Sequence, residues 1–185
     1  MGVGYDPTGL GRWCWTRFRG KDCVVLRVVS VYLPVPPPGG NQPAKTRSVY
    51  QQHLNYFNRK KMEREPRAAF IADLDAALTS WIATGDQIIV GGDFNEDILR
   101  PAITDIFTKH DMHHMIFTKH DHQQFPSTCG RASGNRPIDG IWGTANLEPT
   151  QCGYLAVGDF PGDHHSLWLD LTYEAAFGHR PPPTT

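Results

Sequence analysis

The sequence predicts a mixed α/β domain, and three segments carry that prediction. Residues 24–33 form a nearly continuous run of β-branched and apolar residues, which is typical of a strand buried on both faces. Residues 166–171 alternate strictly between apolar and other residues, as in a strand with one buried face. Residues 71–82 carry an apolar stripe at helical spacing, made of Ile71, Leu74, Leu78, Trp81 and Ile82.

The first half of the chain adds two helices to this frame. Residues 1–22 are interpreted as turns with one short extended piece. A helix is predicted over residues 46–61, because apolar residues recur there at helical spacing. A second helix begins near Pro66, since proline is favoured in a first turn, and it ends at Gly85.

The second half of the chain alternates short strands with one helix. A strand is predicted over residues 87–90, and a helix opens at Pro101 and runs to about Lys109. Further strands are predicted over residues 137–143 and 154–157. The expected domain covers residues 1–176, and residues 177–185 form a disordered proline-rich tail.

Composition narrows the class of protein. The chain has 185 residues, enough for one domain with a substantial core, and its net charge is −1, so no global positive field indicates nucleic-acid binding. The longest apolar stretch is too short for a membrane span, and no signal peptide opens the sequence. Four cysteines without CxxC spacing favour free thiols and an intracellular protein, in the cytoplasm or nucleus. The oligomeric state stays open.

One internal repeat is present: residues 106–111, Ile-Phe-Thr-Lys-His-Asp, recur as residues 116–121. We interpret it as a local duplication inside a tolerant connection, because two copies of ten-residue period make no solenoid. The histidines in and around the repeat could bind a transition metal, although their spacing matches no defined site.

The sharpest motif follows the strand at residues 87–90 and reads Gly91-Gly92-Asp93-Phe94-Asn95. Glycines at a strand end allow a backbone or a phosphate to come close. Asp93 and Asn95 are two residues apart, so an extended chain points both to the same side. A carboxylate can bind a metal or take a proton from water, and a carboxamide can orient that water. A turn rich in Asx residues would explain the same pattern, so both interpretations stay open.

Two further motifs place ionisable groups near predicted strands. Gly162-Asp163-His164-His165 precedes the last strand, where an aspartate–histidine pair can supply a ligand and a cationic donor. An exposed turn with two ordinary histidines is the alternative. Asp139 lies within the apolar stretch 137–142, where a carboxylate is costly unless it is paired. A histidine is the expected partner of Asp139, and a backbone hydrogen bond is the alternative.

Taken in order along the chain, these motifs resemble the endonuclease/exonuclease/phosphatase superfamily, which has the fold of deoxyribonuclease I. The resemblance spans about residues 24–172 and implies a four-layer α-β-β-α sandwich of two mixed sheets. Four segments show the resemblance. Val31–Pro34 is similar to the family's Tyr-x-Pro-Asn, and Gly92–Asn95 is similar to its Gly-Asp-Phe-Asn. Ile138–Ile141 is similar to its Ile-Asp-Tyr-Ile, and Gly162–His164 is similar to its Ser-Asp-His.

The resemblance also implies catalytic roles for five residues. Asp93 would orient or deprotonate the attacking water, and Asn95 would hold that water and the phosphate. His164, held by Asp139, would donate to a phosphate oxygen as negative charge builds. The hydroxyl of Tyr32 would donate to the same phosphate. His165, the neighbour of His164, is expected to be a bystander.

The reaction implied by the resemblance is in-line hydrolysis of a phosphate ester, assisted by Mg²⁺ or Mn²⁺, with nucleic acid as the expected substrate. Asp163 and Asp93 would bind the metal. Arg131 and Arg136 would lie on a loop near the substrate. No membrane partner is expected.

Two departures from the family pattern affect this interpretation. The family carries an asparagine strand and a metal-binding glutamate before its Tyr-x-Pro strand, but the 31 residues before Tyr32 contain neither Glu nor Asn. The first glutamate of the chain is Glu63, and Val35 stands in place of the asparagine of the Tyr-x-Pro-Asn motif. We therefore expect an N-terminally incomplete domain, from a longer gene or a retroelement, that binds its metal weakly.

Three functions remain open at this stage. The first is hydrolysis of phosphodiester bonds in nucleic acid, as by a retroelement-derived endonuclease. The second is a catalytically impaired fragment or pseudoenzyme, and the third is a phosphomonoesterase of inositol phosphates or lipids.

A basic run lies between the two predicted helices of the first half, and it is either a solvated face or a contact for phosphates. Trp13 and Trp15 are expected to pack in the core or at an edge rather than to stack on bases. The basic run consists of Arg59, Lys60, Lys61, Arg64 and Arg67.

Overall fold

The structure is a computed structural model of the chain. No helix of its described part is long and apolar enough to cross a membrane. It describes residues 1–36, 48–120, 126–129, 136–156, 158–159 and 161–179.

Strands and helices alternate along the described residues. The strands are β1 (Gly2–Tyr5), β2 (Trp13–Arg19), β3 (Val25–Tyr32), β4 (Gln87–Asp93), β5 (Met112–His114), β6 (Asp139–Thr144), β7 (Gln151–Tyr154) and β8 (Leu167–Asp170). The helices are α1 (Val49–Arg59), α2 (Pro66–Ala83), α3 (Pro101–Thr108), α4 (Met115–Lys119) and α5 (Tyr173–Phe177).

Six strands form one mixed sheet in the order β1-β2-β3-β4-β6-β5, and β7 pairs with β8 in a second, small sheet. Within the large sheet only β3 and β4 run parallel. The predicted α/β class is confirmed. The second sheet, expected to be mixed, is an antiparallel pair in the part of the chain that the structure describes.

The helical face of the large sheet, on which α2 and α3 pack, carries the main core. Phe70, Leu74 and Leu78 of α2 are fully buried against Val29 and Val90 of the strands. The signals read from sequence are present: Pro66 occupies the first turn of α2, and Gly85 follows its end with a φ of 80°. The side chain of Glu65 accepts hydrogen bonds from the first backbone N–H groups of α2 and caps it.

The opposite face, which we call the inner face, is only partly covered. The small sheet and α5 cover one end of this face, where Leu26, Ile89 and Ala176 are buried and the half-buried Leu169 packs against them. Further along β3, the inner-face side chains Val28, Ser30 and Tyr32 are exposed. The prediction that residues 24–33 are buried on both faces is therefore wrong for this half of the strand.

The first 22 residues contain more structure than the sequence indicated, because they fold into the hairpin β1–β2. The pattern of β2 hid the strand, since arginine and cysteine alternate with its aromatic residues. Arg17 is nevertheless satisfied at the sheet by the carboxylate of Asp86, at 2.8 Å. Trp13 packs in the core as expected and is 4% exposed.

The repeated hexapeptide contributes to the core, so its interpretation as a tolerant connection is wrong. The first copy ends α3 and the second copy forms most of α4. Phe107 and Phe117, the equivalent aromatic residues, are both buried in the main cluster. Asp121, the last residue of the second copy, lies outside the described residues.

Two C-terminal boundaries differ from the sequence prediction. The strand expected over residues 154–157 is β7, which ends at Tyr154, and Val157 lies outside the described residues. Phe177 was assigned to the tail, but it ends α5 and packs edge-on against Phe18. Residues 180–185 of the predicted tail lie outside the described part.

Candidate active site

Three adjacent strand ends bring Tyr32, Asp93 and Asp139 together. Tyr32 ends β3 and lies beside Asp93, the last residue of the parallel strand β4. Asp139 begins β6 and lies opposite Asp93 in the antiparallel pairing. Residues that pair across neighbouring strands present their side chains to the same face. Tyr32 is 37% exposed, so this side of the cluster is not closed off from solvent.

Glycines make room for this cluster. Gly92 has a φ of 156°, and a Cβ at this position would collide with the backbone of Val31. A Cβ at Gly91 would meet only ordinary contacts with Ile141 and Gly140. Gly91 instead lines an open cavity of about 320 Å³ beside Asp93. Gly92 therefore allows the backbone of β3 to come close, and Gly91 leaves the cavity beside Asp93 open.

The Asp93 carboxylate is fixed by Asn95, two residues further along the chain. The backbone N–H of Asn95 donates to Asp93 Oδ1 at 2.8 Å, and its Nδ2 donates to Asp93 Oδ2 at 3.0 Å. The same Nδ2 donates to the carbonyl of Leu33 at 2.8 Å. The segment is thus an Asx-rich turn and a side-chain cluster at once, so the two interpretations of the motif are compatible.

Asp139 is fixed from the other side by Thr128. The Thr128 hydroxyl oxygen accepts hydrogen bonds from the backbone N–H groups of Ile138, at 2.9 Å, and Asp139, at 3.0 Å. Thr128 is fully buried. Sequence reasoning missed it, because a threonine in a polar segment carries no signal for such a contact.

His164 completes the cluster. Its Nδ1 lies 2.8 Å from Asp139 Oδ2, so the predicted aspartate–histidine pair is present. This contact leaves Nε2 of His164 as the ring nitrogen available to a ligand. The ring of His165 instead contacts the carbonyl of Leu155 through Nδ1 at 2.7 Å, a contact that fits a structural role.

The surroundings of the cluster raise the pKa values of both Asp93 and His164. Burial raises the pKa of Asp93, and the charge of Asp139 raises it further. The hydrogen bonds from Asn95 lower the pKa but do not outweigh these two effects. Burial alone would lower the pKa of His164. The hydrogen bond and charge of Asp139, with the charges of Asp93 and Asp163, nevertheless raise it above its ordinary value.

The donor set fits a hard divalent cation. Ligand atoms of Asp93, Asp139 and His164 lie within 4.8 Å of one another, and the described residues hold no other group of this kind. Carboxylate oxygens are the ligands that Mg²⁺ prefers. The sequence paired Asp163 with Asp93 as metal ligands. The structure brings Asp93 into the group, whereas Asp163 acts on it through its charge near His164.

Arg67 joins the two loops that flank the cluster, which sequence reasoning also missed. Its guanidinium donates to the carbonyl of Pro34 at 3.0 Å and to Glu96 at 3.1 Å. Of the two arginines predicted to contact substrate, Arg136 is exposed three residues before Asp139. Arg131 lies outside the described residues.

Comparison with known proteins identifies the fold. No family model matches the sequence, and no curated protein matches it. The catalytic domain of human Nocturnin, with a bound sulfate anion, superposes with a TM-score of 0.55 at 17% identity, over 86% of this chain and 52% of that one. The catalytic domain of Xenopus laevis APE2 gives a TM-score of 0.60 at 17% identity, over 87% and 55%.

A third solved structure extends the likeness. The 3′ phosphatase NExo from Neisseria, bound to a product DNA hairpin, gives a TM-score of 0.60 at 13% identity, over 94% of this chain and 71% of that one. The chain spans about half the length of the Nocturnin and APE2 domains. At these identities the likeness concerns the fold alone. The chain has the deoxyribonuclease I-like fold that these solved structures share, which is the fold that its motifs predicted.

Proposed function

We propose that this chain is a metal-dependent phosphoesterase domain that hydrolyses phosphodiester bonds in nucleic acid. The cluster of Asp93, Asp139 and His164 at one end of the large sheet carries the proposal. Two carboxylates beside a paired histidine supply a base, a cation site and a proton donor within one phosphate's reach.

Each residue of the cluster has its own role in the proposed hydrolysis. Asp93, whose pKa is raised by burial, accepts a proton from the attacking water better than an exposed aspartate. Asn95 fixes the orientation of that carboxylate through two hydrogen bonds. His164, whose pKa is raised beside Asp139, presents a protonated Nε2 to a phosphate oxygen, and Tyr32 presents its hydroxyl.

Asp93 and Asp139 would hold a Mg²⁺ or Mn²⁺ ion. When bound, the ion neutralises charge that develops on the phosphate oxygens. The fit rests on the two carboxylates, which lie directly opposite each other on β4 and β6.

We further propose that the metal site binds its cation weakly until substrate is present. Mg²⁺ is commonly held by one or two carboxylates together with waters and substrate phosphate, and the cluster among the described residues supplies two carboxylates. Glu96 is the nearest glutamate along the chain, but its carboxylate is paired with Arg67.

Nucleic acid is favoured as substrate because one structural neighbour, NExo, is described as bound to a DNA hairpin. Arg136, exposed three residues before Asp139 in the sequence, would supply a positive charge for a neighbouring phosphate. The Nocturnin structure is described with a sulfate anion, which shares the tetrahedral oxyanion geometry of phosphate.

The test is cleavage of supercoiled plasmid by the purified chain at increasing Mg²⁺ or Mn²⁺ concentration. We expect weak, metal-dependent nicking that Asp93→Asn reduces at least a hundredfold. The matched control is Asp97→Asn, which removes a carboxylate of the same loop without touching the cluster. Activity that survives Asp93→Asn would exclude this site as the origin of cleavage.

The same preparation separates the other two functions. Metal binding without cleavage of any phosphate ester, measured by calorimetry, would indicate an impaired domain. Release of phosphate from inositol phosphates in place of plasmid nicking would indicate the phosphomonoesterase.

A further inference from the structure

Tyr154 is a residue of the small sheet to which the proposed hydrolysis assigns no role. It ends β7 and pairs with Leu167 of β8, and Leu167 lines the cavity beside Asp93. Two positions earlier, Cys152 is buried with its Sγ 3.8 Å from the carbonyl of Met115, which belongs to the core of the inner face. Since side chains alternate along a strand, Tyr154 points to the same side as Cys152. The ring of Tyr154 therefore faces the large sheet.

The hydroxyl of Tyr154 is closed off from solvent and makes no hydrogen bond with any residue that the structure describes. A buried tyrosine usually finds a partner for its hydroxyl, because an unpaired polar group in the interior destabilises the fold. A phenylalanine would fill the same space without this cost. Packing therefore accounts for the aromatic ring of Tyr154 but not for its hydroxyl.

The charge of Asp139 acts on this hydroxyl. Burial raises the pKa of Tyr154, and the charges of Asp139 and Cys152 raise it further. Burial also raises the pKa of the Cys152 thiol, so at neutral pH the negative charge is that of Asp139. The hydroxyl of Tyr154 stays protonated and can donate a hydrogen bond. Asp139 contacts His164 through Oδ2, and a carboxylate can accept further hydrogen bonds.

We propose that Tyr154 is a positioning residue: its hydroxyl donates a hydrogen bond to Asp139 when a phosphate ester is bound, a role that rests on the proposed hydrolysis. Hydrogen bonds of an active site often become short only in the complex with substrate. A donor to Asp139 favours the charged form of the carboxylate, so the shared proton stays on His164, which can donate it to the phosphate. The second donor also holds the carboxylate in the orientation that pairs with His164.

The variant Tyr154→Phe removes the hydroxyl and keeps the ring. For cleavage of a labelled oligonucleotide we expect kcat to fall about tenfold with KM unchanged, because one hydrogen bond to the catalytic pair is lost. The midpoint of urea unfolding should stay equal or rise, since a buried unpaired hydroxyl is removed. Tyr5→Phe, at an exposed tyrosine of the edge strand β1, is the matched control and should behave like the wild type in both measurements. An unchanged kcat in Tyr154→Phe would overturn the proposal, and so would a lowered midpoint, which would show that the hydroxyl serves the fold.

The Asp139–His164 pair can also be observed without turnover, so a chain that does not cleave still tests the role of Tyr154. With inorganic phosphate as the probe and EDTA present, NMR follows the exchange of the Nδ1 proton of His164 with water. A fixed Asp139 protects this proton in the wild type, and in Tyr154→Phe we expect it to exchange about tenfold faster. Equal exchange rates would overturn the positioning role. Faster exchange in a chain that does not cleave would support that role and would count against the proposed hydrolysis alone.

Discussion

Asp93 and Asp139 lie directly opposite each other on the antiparallel strands β4 and β6, although 46 positions separate them in the sequence. Neighbouring carboxylates repel each other, and burial and the charge of Asp139 raise the pKa of Asp93. His164 is the cation that contacts this pair, through Asp139. The pKa values of Asp93 and His164 therefore both depend on the charge of Asp139.

The first prediction concerns Asp139→Asn. The carboxamide removes the charge beside His164, so the pKa of His164 should fall towards its ordinary value. Less of the ring is then protonated at neutral pH, and cleavage should fall about ten- to a hundredfold, with its alkaline limb moved to lower pH. NMR titration of the metal-free His164 ring measures the shift directly. An unchanged titration curve in this variant would contradict the assignment.

The same pair sets a pH dependence of stability. Since the folded-state pKa of His164 lies above the unfolded one, pairing stabilises the fold fully below about pH 6.5. The stabilisation is lost as the pH rises through the raised value. The free energy of unfolding of Asp139→Asn should therefore approach that of the wild type in alkaline solution, apart from the cost of the lost contact.

The second prediction concerns Thr128. In Thr128→Val the backbone N–H groups of Ile138 and Asp139 lose their buried acceptor, which should cost about 1–3 kcal/mol in the free energy of unfolding. Asp139 would also lose its fixed position, so cleavage should fall as well. Thr128→Ser keeps the hydroxyl and is the matched control. Urea unfolding compares the three proteins, and equal stability of the valine variant would refute the role.

Part of this site could be predicted because several of its residues are close together in the sequence. Asp93 with Asn95, and Asp163 with His164, stand in short motifs beside strands, and their order along the chain matches a known family. The pairing of Asp139 with a histidine followed from the cost of an unpaired carboxylate among apolar residues. These inferences depend on residues that are close in the sequence, so they could be made from a single sequence.

The other features of the site and of the fold depend on contacts between distant residues, which produce no periodic pattern in the sequence. Thr128 contacts Asp139 from a separate loop, and Arg67 of helix α2 contacts Glu96 in the loop after β4. Neither contact can be predicted from the spacing of residues along the sequence. Strand β2 was missed because Arg17, an unlikely residue for a sheet, is neutralised by the distant Asp86. Tertiary pairing of this kind overrides local propensity.

The third prediction separates two neighbouring glycines. Gly92→Ala should lower the free energy of unfolding by about 2 kcal/mol or more, because its φ of 156° disfavours a side chain and its Cβ would collide with Val31. Gly91→Ala should be nearly neutral, since its Cβ would enter the open cavity beside Asp93. Thermal unfolding of both variants tests this difference. Equal destabilisation would mean that the backbone at Gly92 can relax.

The last prediction concerns acid unfolding and Asp6, a fully buried carboxylate directly after the edge strand β1. Burial alone would raise its pKa, but hydrogen bonds from Arg12 and Thr8 lower it to about 2. Because the folded-state pKa is the lower one, the pairing contributes about 2 kcal/mol of stability above pH 4, and this is lost as the pH falls through 2. Urea unfolding from about pH 5 to pH 2 should therefore give a shallower pH slope for Asp6→Asn than for the wild type. Asp22→Asn, at an exposed turn, is the matched control and should keep the wild-type slope, whereas an unaltered slope in Asp6→Asn would show that other carboxylates govern acid unfolding.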